Sequence, residues 1–251
     1  MLLLHGLTDS GEGWPEAVGH WQDTYAIVTV DQRGHGGSPR FTADQLAGHH
    51  HPGDVMVDDA IVLLEQLDRP VLVGHSLGGA VGLAAAVRRP ELVRALVLED
   101  PAPLGPDEPQ RSEARGKEFR AEIEDSRQAP DDDALLAVRR AAHPDWPESE
   151  LLMTGHAEQQ MQAEYLENGE WKPSTRWPEL FRDVRVPTLV VSGDRLDEIV
   201  VDEEMETGIH RIGNPLVTLV RVHDAGHCIR REQPERYYTL VDEWLARLDD
   251  R

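Results

Sequence analysis

Short runs of leucine, valine and isoleucine recur along the chain, and each is followed by a turn and then by a segment with helical periodicity. Strands buried on both faces of a parallel sheet have continuous apolar runs of this kind. The pattern therefore predicts an α/β fold, with a mostly parallel sheet and helices on both faces. The predicted strands lie at residues 2–6, 26–31, 70–75, 95–100, 187–193 and 215–222.

Four segments with helical periodicity are expected to cover this sheet, at residues 54–67, 77–88, 203–212 and 234–248. The second contains the run LGGAVGLAAAV, whose small side chains allow a helix to lie close to a sheet. The last has Pro234 in its first turn and apolar side chains on one stripe, which is typical of a helix packed on a core.

Residues 101–185 interrupt this alternation. They begin with the proline-rich run PAPLGPDEP and continue with charged helical stretches at 110–127 and 131–142. A long excursion between two strands of a compact domain is more often a functional lid than a structureless loop. We therefore expect a helical cap inserted into a single core that is formed by residues 1–100 and 186–251.

The charge balance argues against two classes of partner. The chain has 47 acidic and 25 basic side chains and a formal net charge of -22, so nucleic acid and membrane surfaces are not expected to bind it. No apolar run approaches the roughly 20 residues of a membrane-spanning helix, and the first residues do not resemble a signal peptide. The single cysteine, Cys228, forms no intrachain disulfide and fits a reducing cytoplasm, so we expect a cytoplasmic protein.

The run GHSLG, residues 74–78, lies between a predicted strand and a predicted helix. A G-x-S-x-G run in this context is typical of a nucleophile elbow, where the serine adopts a strained conformation that larger neighbours would block. The first amides of the following helix are unpaired, so the N–H of Leu77 can bind an oxyanion. The alternative interpretation of Ser76 is an incidental serine in a tight turn.

A serine hydroxyl becomes a good nucleophile only when a base takes its proton. His227 follows the last predicted strand and precedes the last predicted helix, which is where this architecture requires a histidine. The alternative is a hydrogen-bonded loop histidine with no chemical role.

The carboxylate that would orient this histidine has several candidates. Asp194 and Asp197 follow the strand that ends in LVVSG; Asp194 leaves the strand at once and is preferred, whereas Asp197 requires the turn to fold back. Glu99 and Asp100 form a third option because their strand ends beside the elbow. The alternative for that pair is an anchor for the loop that begins at Pro101.

The first loop offers a second oxyanion donor. The first predicted strand ends at His5 and Gly6, and the glycine permits a sharp turn that would aim the amide of Leu7 inward. Two such donors stabilise a transition state by several kcal/mol.

Four motifs follow one another in the order HGLTDSGEGW, DQRGHGGS, GHSLGG and AGHCIRREQPERY. Together they resemble the oxyanion loop, the D-x-R-G-x-G-x-S segment, the elbow and the histidine loop of the α/β-hydrolase superfamily, in its cap-bearing esterase, lipase-like and carbon–carbon-bond hydrolase branch. The resemblance covers nearly the whole chain. It implies that Asp31, Arg33 and Ser38 hold a loop beside the active site. It also argues against epoxide hydrolases and haloalkane dehalogenases, which carry aspartate where Ser76 stands.

Two features depart from the family pattern. The usual acid position, three residues after the glycine of G-x-x-D, is occupied here by Leu196. The family usually has two antiparallel strands before the oxyanion strand, whereas LLLHG starts at residue 2, so either those strands are absent or the coding start lies upstream. An uncovered sheet edge invites pairing, and a homodimer through this edge is compatible with the sequence.

The sequence thus predicts a serine hydrolase that cleaves small apolar or aromatic esters through an acyl-serine, with no cofactor and no metal. A lactonase, a carbon–carbon-bond hydrolase or a perhydrolase could use the same triad, and a ligand-binding receptor could retain it without turnover. The cap contains large apolar side chains that either roof the pocket or bury the cap on the core; they are Trp146, Met153, Met161, Trp171 and Trp177.

Overall fold

The computed structural model describes residues 1–47, 51–103, 109–144, 146–166 and 171–249. Within them one parallel sheet has the strand order β2-β1-β3-β4-β5-β6. Each predicted strand contains one observed strand, and the predicted α/β fold is confirmed. The strands are β1 Leu2–Leu4, β2 Val28–Val30, β3 Val71–His75, β4 Ala95–Glu99, β5 Thr188–Gly193 and β6 Val217–Val222.

The described α-helices are, in chain order, α1 Pro15–Trp21, α2 Ala43–Leu46, α3 Pro52–Leu64, α4 Ser76–Arg88, α5 Pro109–Gln128, α6 Asp132–Ala142, α7 Glu148–Gln160, α8 Trp177–Asp183, α9 Glu203–Ile212, α10 Ile229–Glu232 and α11 Pro234–Asp249. Short 3-10 helices occur at Pro90–Leu92 and Ala163–Leu166. The four helices predicted to cover the sheet correspond to α3, α4, α9 and α11.

The central strands bury side chains on both faces of the sheet. In β4, Leu96 and Leu98 join a cluster that includes side chains of α3 and α4. Val97, between them, points to the opposite face and joins a cluster with side chains of α1 and α11. Because both faces are apolar, the strand sequences are continuous hydrophobic runs and not alternating ones.

Helices α5 to α8 lie between β4 and β5, as the predicted helical cap requires; we call them the inserted helices. A buried carboxylate connects three of them, because Glu158 of α7 accepts hydrogen bonds from Arg139 of α6, at 2.7 Å, and from Ser126 of α5. Burial raises the pKa of Glu158 to about 7, and the Arg139 guanidinium opposes that shift. The inserted helices therefore pack around a charged centre as well as apolar contacts.

Strands β2 and β6 form the two edges of the sheet. Pairing of two copies through the β2 edge stays a prediction. No helix in the described part of the chain is long and apolar enough to cross a membrane.

Glycines let helix α4 approach the sheet closely. A Cβ atom on Gly78 would lie 2.2 Å from the carbonyl oxygen of Leu4, which belongs to β1. A Cβ atom on Gly74 would lie 2.5 Å from the carbonyl oxygen of Gly78. Both neighbours are backbone atoms, so a larger residue could be accommodated only by moving the helix.

We expect Gly78→Ala to lower the free energy of unfolding by about 1–3 kcal/mol, because overpacking forces α4 away from β1. Gly19→Ala is the matched control, since a Cβ atom on Gly19 of α1 would meet nothing within 4 Å. Alanine in that helix should add up to about 1 kcal/mol. Urea unfolding of both variants measures the difference, and equal stability changes would contradict the close-approach interpretation.

Candidate active site

Ser76 is the first residue of α4 and directly follows β3. Its φ angle is 51°, in the left-handed region that residues with side chains rarely adopt. The glycines at 74 and 78 leave room for this turn, which lifts the serine out of the carboxyl end of the sheet. The strand-to-helix context and the strained backbone are those of a nucleophile elbow.

His227 lies in the loop after β6, and its Nδ1 is 2.6 Å from Oδ2 of Asp100. Asp100 is fully buried and follows β4, with a φ angle of 38°. The two neighbouring strands are in register at His75 and Glu99, so Ser76 and Asp100 leave the sheet at the same level. The elbow and the carboxylate therefore start from adjacent points on one edge.

Four hydrogen bonds fix the carboxylate of Asp100. Besides His227, its donors are the hydroxyl of Ser192 at 2.7 Å and the backbone N–H groups of Val200 and Val201 at 2.7 and 3.0 Å. A carboxylate accepts only, so Nδ1 of His227 carries the proton that is donated to it. In the neutral ring the other nitrogen, Nε2, is then free to accept a proton.

This arrangement corrects the preference for Asp194 or Asp197. Asp194 is exposed and accepts hydrogen bonds from Nδ1 of His223 at 2.6 Å and from the N–H of Asp224 at 2.9 Å. Asp197 is also exposed, at the rim of the cavity described below. The third option was the pair Glu99 and Asp100 at the end of β4, and Asp100 makes the contact to His227. Asp100 follows β4, which adjoins the elbow strand β3, whereas the carboxylate of Asp194 after β5 is turned to His223 and Asp224.

A cavity of about 1060 Å³ lies over this edge of the sheet, and both Ser76 and His227 line it. Three tryptophans of the segment between β4 and β5 also line it: Trp146, Trp171 and Trp177. Met153 and Met161 are not among its described lining residues, and Met161 is buried in the core. The expected apolar roof is therefore made by the tryptophans.

The elbow and the histidine loop also touch each other directly. The rings of His75 and His227 are 4.8 Å apart, and Nε2 of His75 lies 3.2 Å from the carbonyl oxygen of His227, to which it donates. Cys228 is buried next to His75, and burial raises the pKa of its thiol to about 12. A neutral thiol packed against His75 fills space under the histidine loop.

The predicted oxyanion donors are Leu7, in the loop after β1, and Leu77, which directly follows Ser76. Leu7 lines it, and Gly6 packs against the elbow, since a Cβ atom on Gly6 would lie 3.5 Å from Cβ of Ser76. Leu77 is the second residue of α4, so its N–H has no acceptor within the helix. The role of these two N–H groups as oxyanion donors stays a prediction.

Buried charges surround the base of the histidine loop; we call Asp9, Glu99, Glu150, Arg230 and Arg231 the arginine cluster. Glu99 accepts from the backbone N–H of Arg230 at 2.7 Å and from its guanidinium at 2.8 Å. Arg231 donates to Asp9 at 2.7 Å and to Glu150 of α7. Burial opposes ionisation of Asp9, but the two guanidinium groups outweigh it and keep the pKa of this carboxyl below its ordinary value.

The D-x-R-G-x-G-x-S segment forms a tight loop next to the oxyanion loop. Asp31 accepts from the N–H groups of Gly11 and Gly37, both at 2.8 Å, and the Ser38 hydroxyl donates to the Asp31 carbonyl at 2.6 Å. Arg33 makes two hydrogen bonds to Asp59 of α3. These contacts hold loops together and support the structural role implied by the resemblance.

A parallel sheet that carries a strained serine and a buried carboxylate–imidazole pair at its carboxyl edge has the architecture of a hydrolytic α/β enzyme. The model of the alpha/beta hydrolase family matches residues 1–240, and the chain belongs to this family.

The chain is also similar to individual members with named activities. It is 29% identical to the lipase LipV of Mycobacterium tuberculosis over 264 residues, which cover 98% of this chain and 93% of that protein. A 2-(acetamidomethylene)succinate hydrolase of Mesorhizobium japonicum is 34% identical over 105 residues, 41% of this chain and 36% of that protein.

Solved structures share the fold at lower identity. The structure of E-2-(acetamidomethylene)succinate hydrolase superposes with a TM-score of 0.80 at 22% identity, covering 98% of this chain and 91% of the other. A thermophilic esterase from Thermogutta terrifontis gives a TM-score of 0.71 at 24% identity, covering 98% and 89%.

We expect Arg230→Met to lower the free energy of unfolding by about 3–5 kcal/mol, because the variant leaves Glu99 buried without its charged partner. Arg247→Met is the matched control, since Arg247 pairs with Glu243 on the exposed face of α11. Loss of that pair should cost less than about 1 kcal/mol. Chemical denaturation compares the two variants, and similar losses would show that leaving Glu99 buried without its charged partner carries no special penalty.

Proposed function

We propose that the protein is a serine hydrolase that cleaves carboxylic esters of small apolar or aromatic groups through an acyl-serine intermediate. The observation that carries this proposal is the 2.6 Å contact between Asp100 and His227 beside a cavity that the strained Ser76 also lines. An oriented imidazole next to an elbow serine is what nucleophilic acyl transfer needs.

In the proposed reaction the hydroxyl oxygen of Ser76 attacks the ester carbonyl carbon while Nε2 of His227 takes the hydroxyl proton. The imidazolium then gives this proton to the departing alkoxide, and the acyl-serine ester remains. Water deprotonated by the same nitrogen then attacks the acyl-serine carbonyl, the bond to the Ser76 oxygen breaks, and the imidazolium returns the proton to that oxygen as the carboxylic acid leaves. Asp100 holds the ring in the tautomer that leaves Nε2 free and stabilises the imidazolium.

The negative charge that develops on the carbonyl oxygen would be held by the backbone N–H groups of Leu7 and Leu77. Leu77 adds the positive end of the dipole of the 13-residue helix α4. Each donor of this kind is worth about 3–4 kcal/mol of transition-state stabilisation in a site that excludes water.

Three tryptophans on the cavity wall support the proposed substrate class. The tryptophans of the segment between β4 and β5 present a flat apolar surface to the acyl or alcohol group of the substrate. We propose that residues 101–185 form a cap that determines substrate specificity, over a core of residues 1–100 and 186–251. The similarity to a lipase over nearly the whole chain supports ester cleavage. The similarity to 2-(acetamidomethylene)succinate hydrolase makes a substituted amide a useful second substrate in the assay.

Ser76→Ala and His227→Ala are each expected to lower the hydrolysis of p-nitrophenyl acetate and butyrate by about 10⁴-fold or more, because each variant removes an atom that forms or breaks a bond. His223→Ala is the control, since His223 is exposed and contacts Asp194; its turnover should stay within twofold of wild type. A fluorophosphonate should label wild type on Ser76. Turnover at the wild-type rate in either active-site variant would refute the proposal.

Asp100→Asn is expected to lower kcat by about 10⁴-fold, because the amide would donate to Nδ1 and hold the imidazole in the wrong tautomer. Asp194→Asn and Asp197→Asn should keep kcat within about threefold, since both side chains are exposed and Asp194 contacts His223. Steady-state kinetics on the three variants decide between the acids. A large loss only in the Asp194 variant would reverse the assignment.

A further inference from the structure

Two buried histidines contact consecutive carbonyl groups of the oxyanion loop. Nδ1 of His5 lies 2.7 Å from the carbonyl oxygen of Gly6, and Nε2 of His35 lies 2.6 Å from the carbonyl oxygen of Leu7. Both side chains are fully buried, and their rings meet edge to face with centroids 4.7 Å apart. Neither is among the residues that line the catalytic cavity, so both act from behind the loop.

The tautomer of His5 is fixed by its surroundings. The backbone N–H of Gln32 lies 3.0 Å from Nε2 of His5, and a backbone N–H can only donate. Nε2 is therefore the unprotonated nitrogen, and the ring proton sits on Nδ1, where it is donated to the Gly6 carbonyl. Burial lowers the pKa of His5, which keeps the ring neutral. The ring is thus held at both nitrogens, and the side-chain amide of Gln32 also donates to the backbone carbonyl of His5 at 2.7 Å.

The Gly6 carbonyl and the Leu7 N–H belong to one peptide unit. The chain has no cis peptide bonds in its described residues, so these two groups point in opposite directions. With the carbonyl held toward the buried ring of His5, the N–H is turned toward the other side of the loop. That side faces the elbow, because Gly6 packs against His75 and Ser76.

We propose that His5 is a positioning residue, whose Nδ1–H bond to the Gly6 carbonyl aims the Leu7 N–H at the oxyanion that forms on the substrate bound to Ser76. The inference rests on the proposed function and deepens it, since it assigns a residue behind the site to transition-state stabilisation. His35 restrains the next peptide unit through the Leu7 carbonyl, so both peptide units of Leu7 are anchored. A donor that already points at the oxyanion does not have to reorient during the reaction. The direction of the Leu7 N–H is therefore expected to affect the rate of the chemical step.

The test compares His5→Gln with His5→Asn. The Asn amide nitrogen overlays Nδ1 and keeps the donor, whereas the Gln amide nitrogen overlays Nε2 and leaves the Gly6 carbonyl without it. We expect His5→Gln to lower kcat and kcat/KM for a p-nitrophenyl ester by about 100-fold with KM changed less than twofold. The kcat of His5→Asn should be at least tenfold higher than that of His5→Gln. His20→Gln, on the exposed face of α1, should have no effect.

A second measurement distinguishes a change in the direction of the Leu7 N–H from a general loss of active-site structure. Replacing the ester carbonyl oxygen with sulfur weakens its acceptance of N–H donors, so wild type should strongly prefer the oxo ester to its thiono analogue. The oxo-to-thiono rate ratio should fall at least tenfold in His5→Gln and stay near the wild-type value in His5→Asn. An unchanged ratio in His5→Gln, or equal losses in both variants, would overturn the proposal.

A third measurement needs no variant and no substrate. In wild-type protein, ¹⁵N NMR of the His5 ring should show a neutral imidazole with the proton on Nδ1; a proton on Nε2 or a charged ring would overturn the role of His5, even where His5→Gln does not fold. A wild type that hydrolyses no ester contradicts the proposed function instead. An active wild type with an unaffected His5→Gln variant contradicts only the inference about His5.

Discussion

The carboxylate of Asp100 is the acceptor on which the arrangement of the site depends. It receives hydrogen bonds from a hydroxyl on β5, from two amides in the loop before α9, and from the imidazole after β6. Three separate segments of the carboxyl edge thus converge on one buried group. Ser76 and Asp100 both have left-handed φ angles where adjacent strands end, and surrounding hydrogen bonds must maintain such strained conformations.

Two carboxylates that are neighbours in sequence are directed into different environments. The Glu99 side chain joins the arginine cluster, where burial raises its pKa and Arg230 opposes that shift. The side chain of Asp100 faces the imidazole and two backbone amides. One carboxylate therefore holds the histidine loop on the sheet while the next orients the histidine itself. A buried ion pair of this kind contributes geometry more than stability, because desolvation offsets most of its attraction.

The fold and the positions of the serine and histidine followed from local signals, namely continuous apolar runs and a glycine-flanked serine between strand and helix. The carboxylate partner of His227 did not, because Asp100 and Asp194 both follow apolar strands, and only the course of the turns after those strands distinguishes them. Helix α7 was also missed, since its buried positions include Thr154 and Glu158, which have no hydrophobic signal. The contacts of His5 and His35 depend on loop geometry that no spacing in the sequence encodes.

The ion pair between Arg231 and Glu150 limits how the roof of the cavity can move. Arg231 lies four residues after His227, and its guanidinium also stacks on Trp146, 4.5 Å from the centre of the ring. Moving α7 away from the histidine loop would break this buried ion pair, and the loss of a buried pair costs several kcal/mol. Helix α7 and the histidine loop are therefore held together on one wall of the cavity, and the acidic loop that precedes α9 lines the cavity as well.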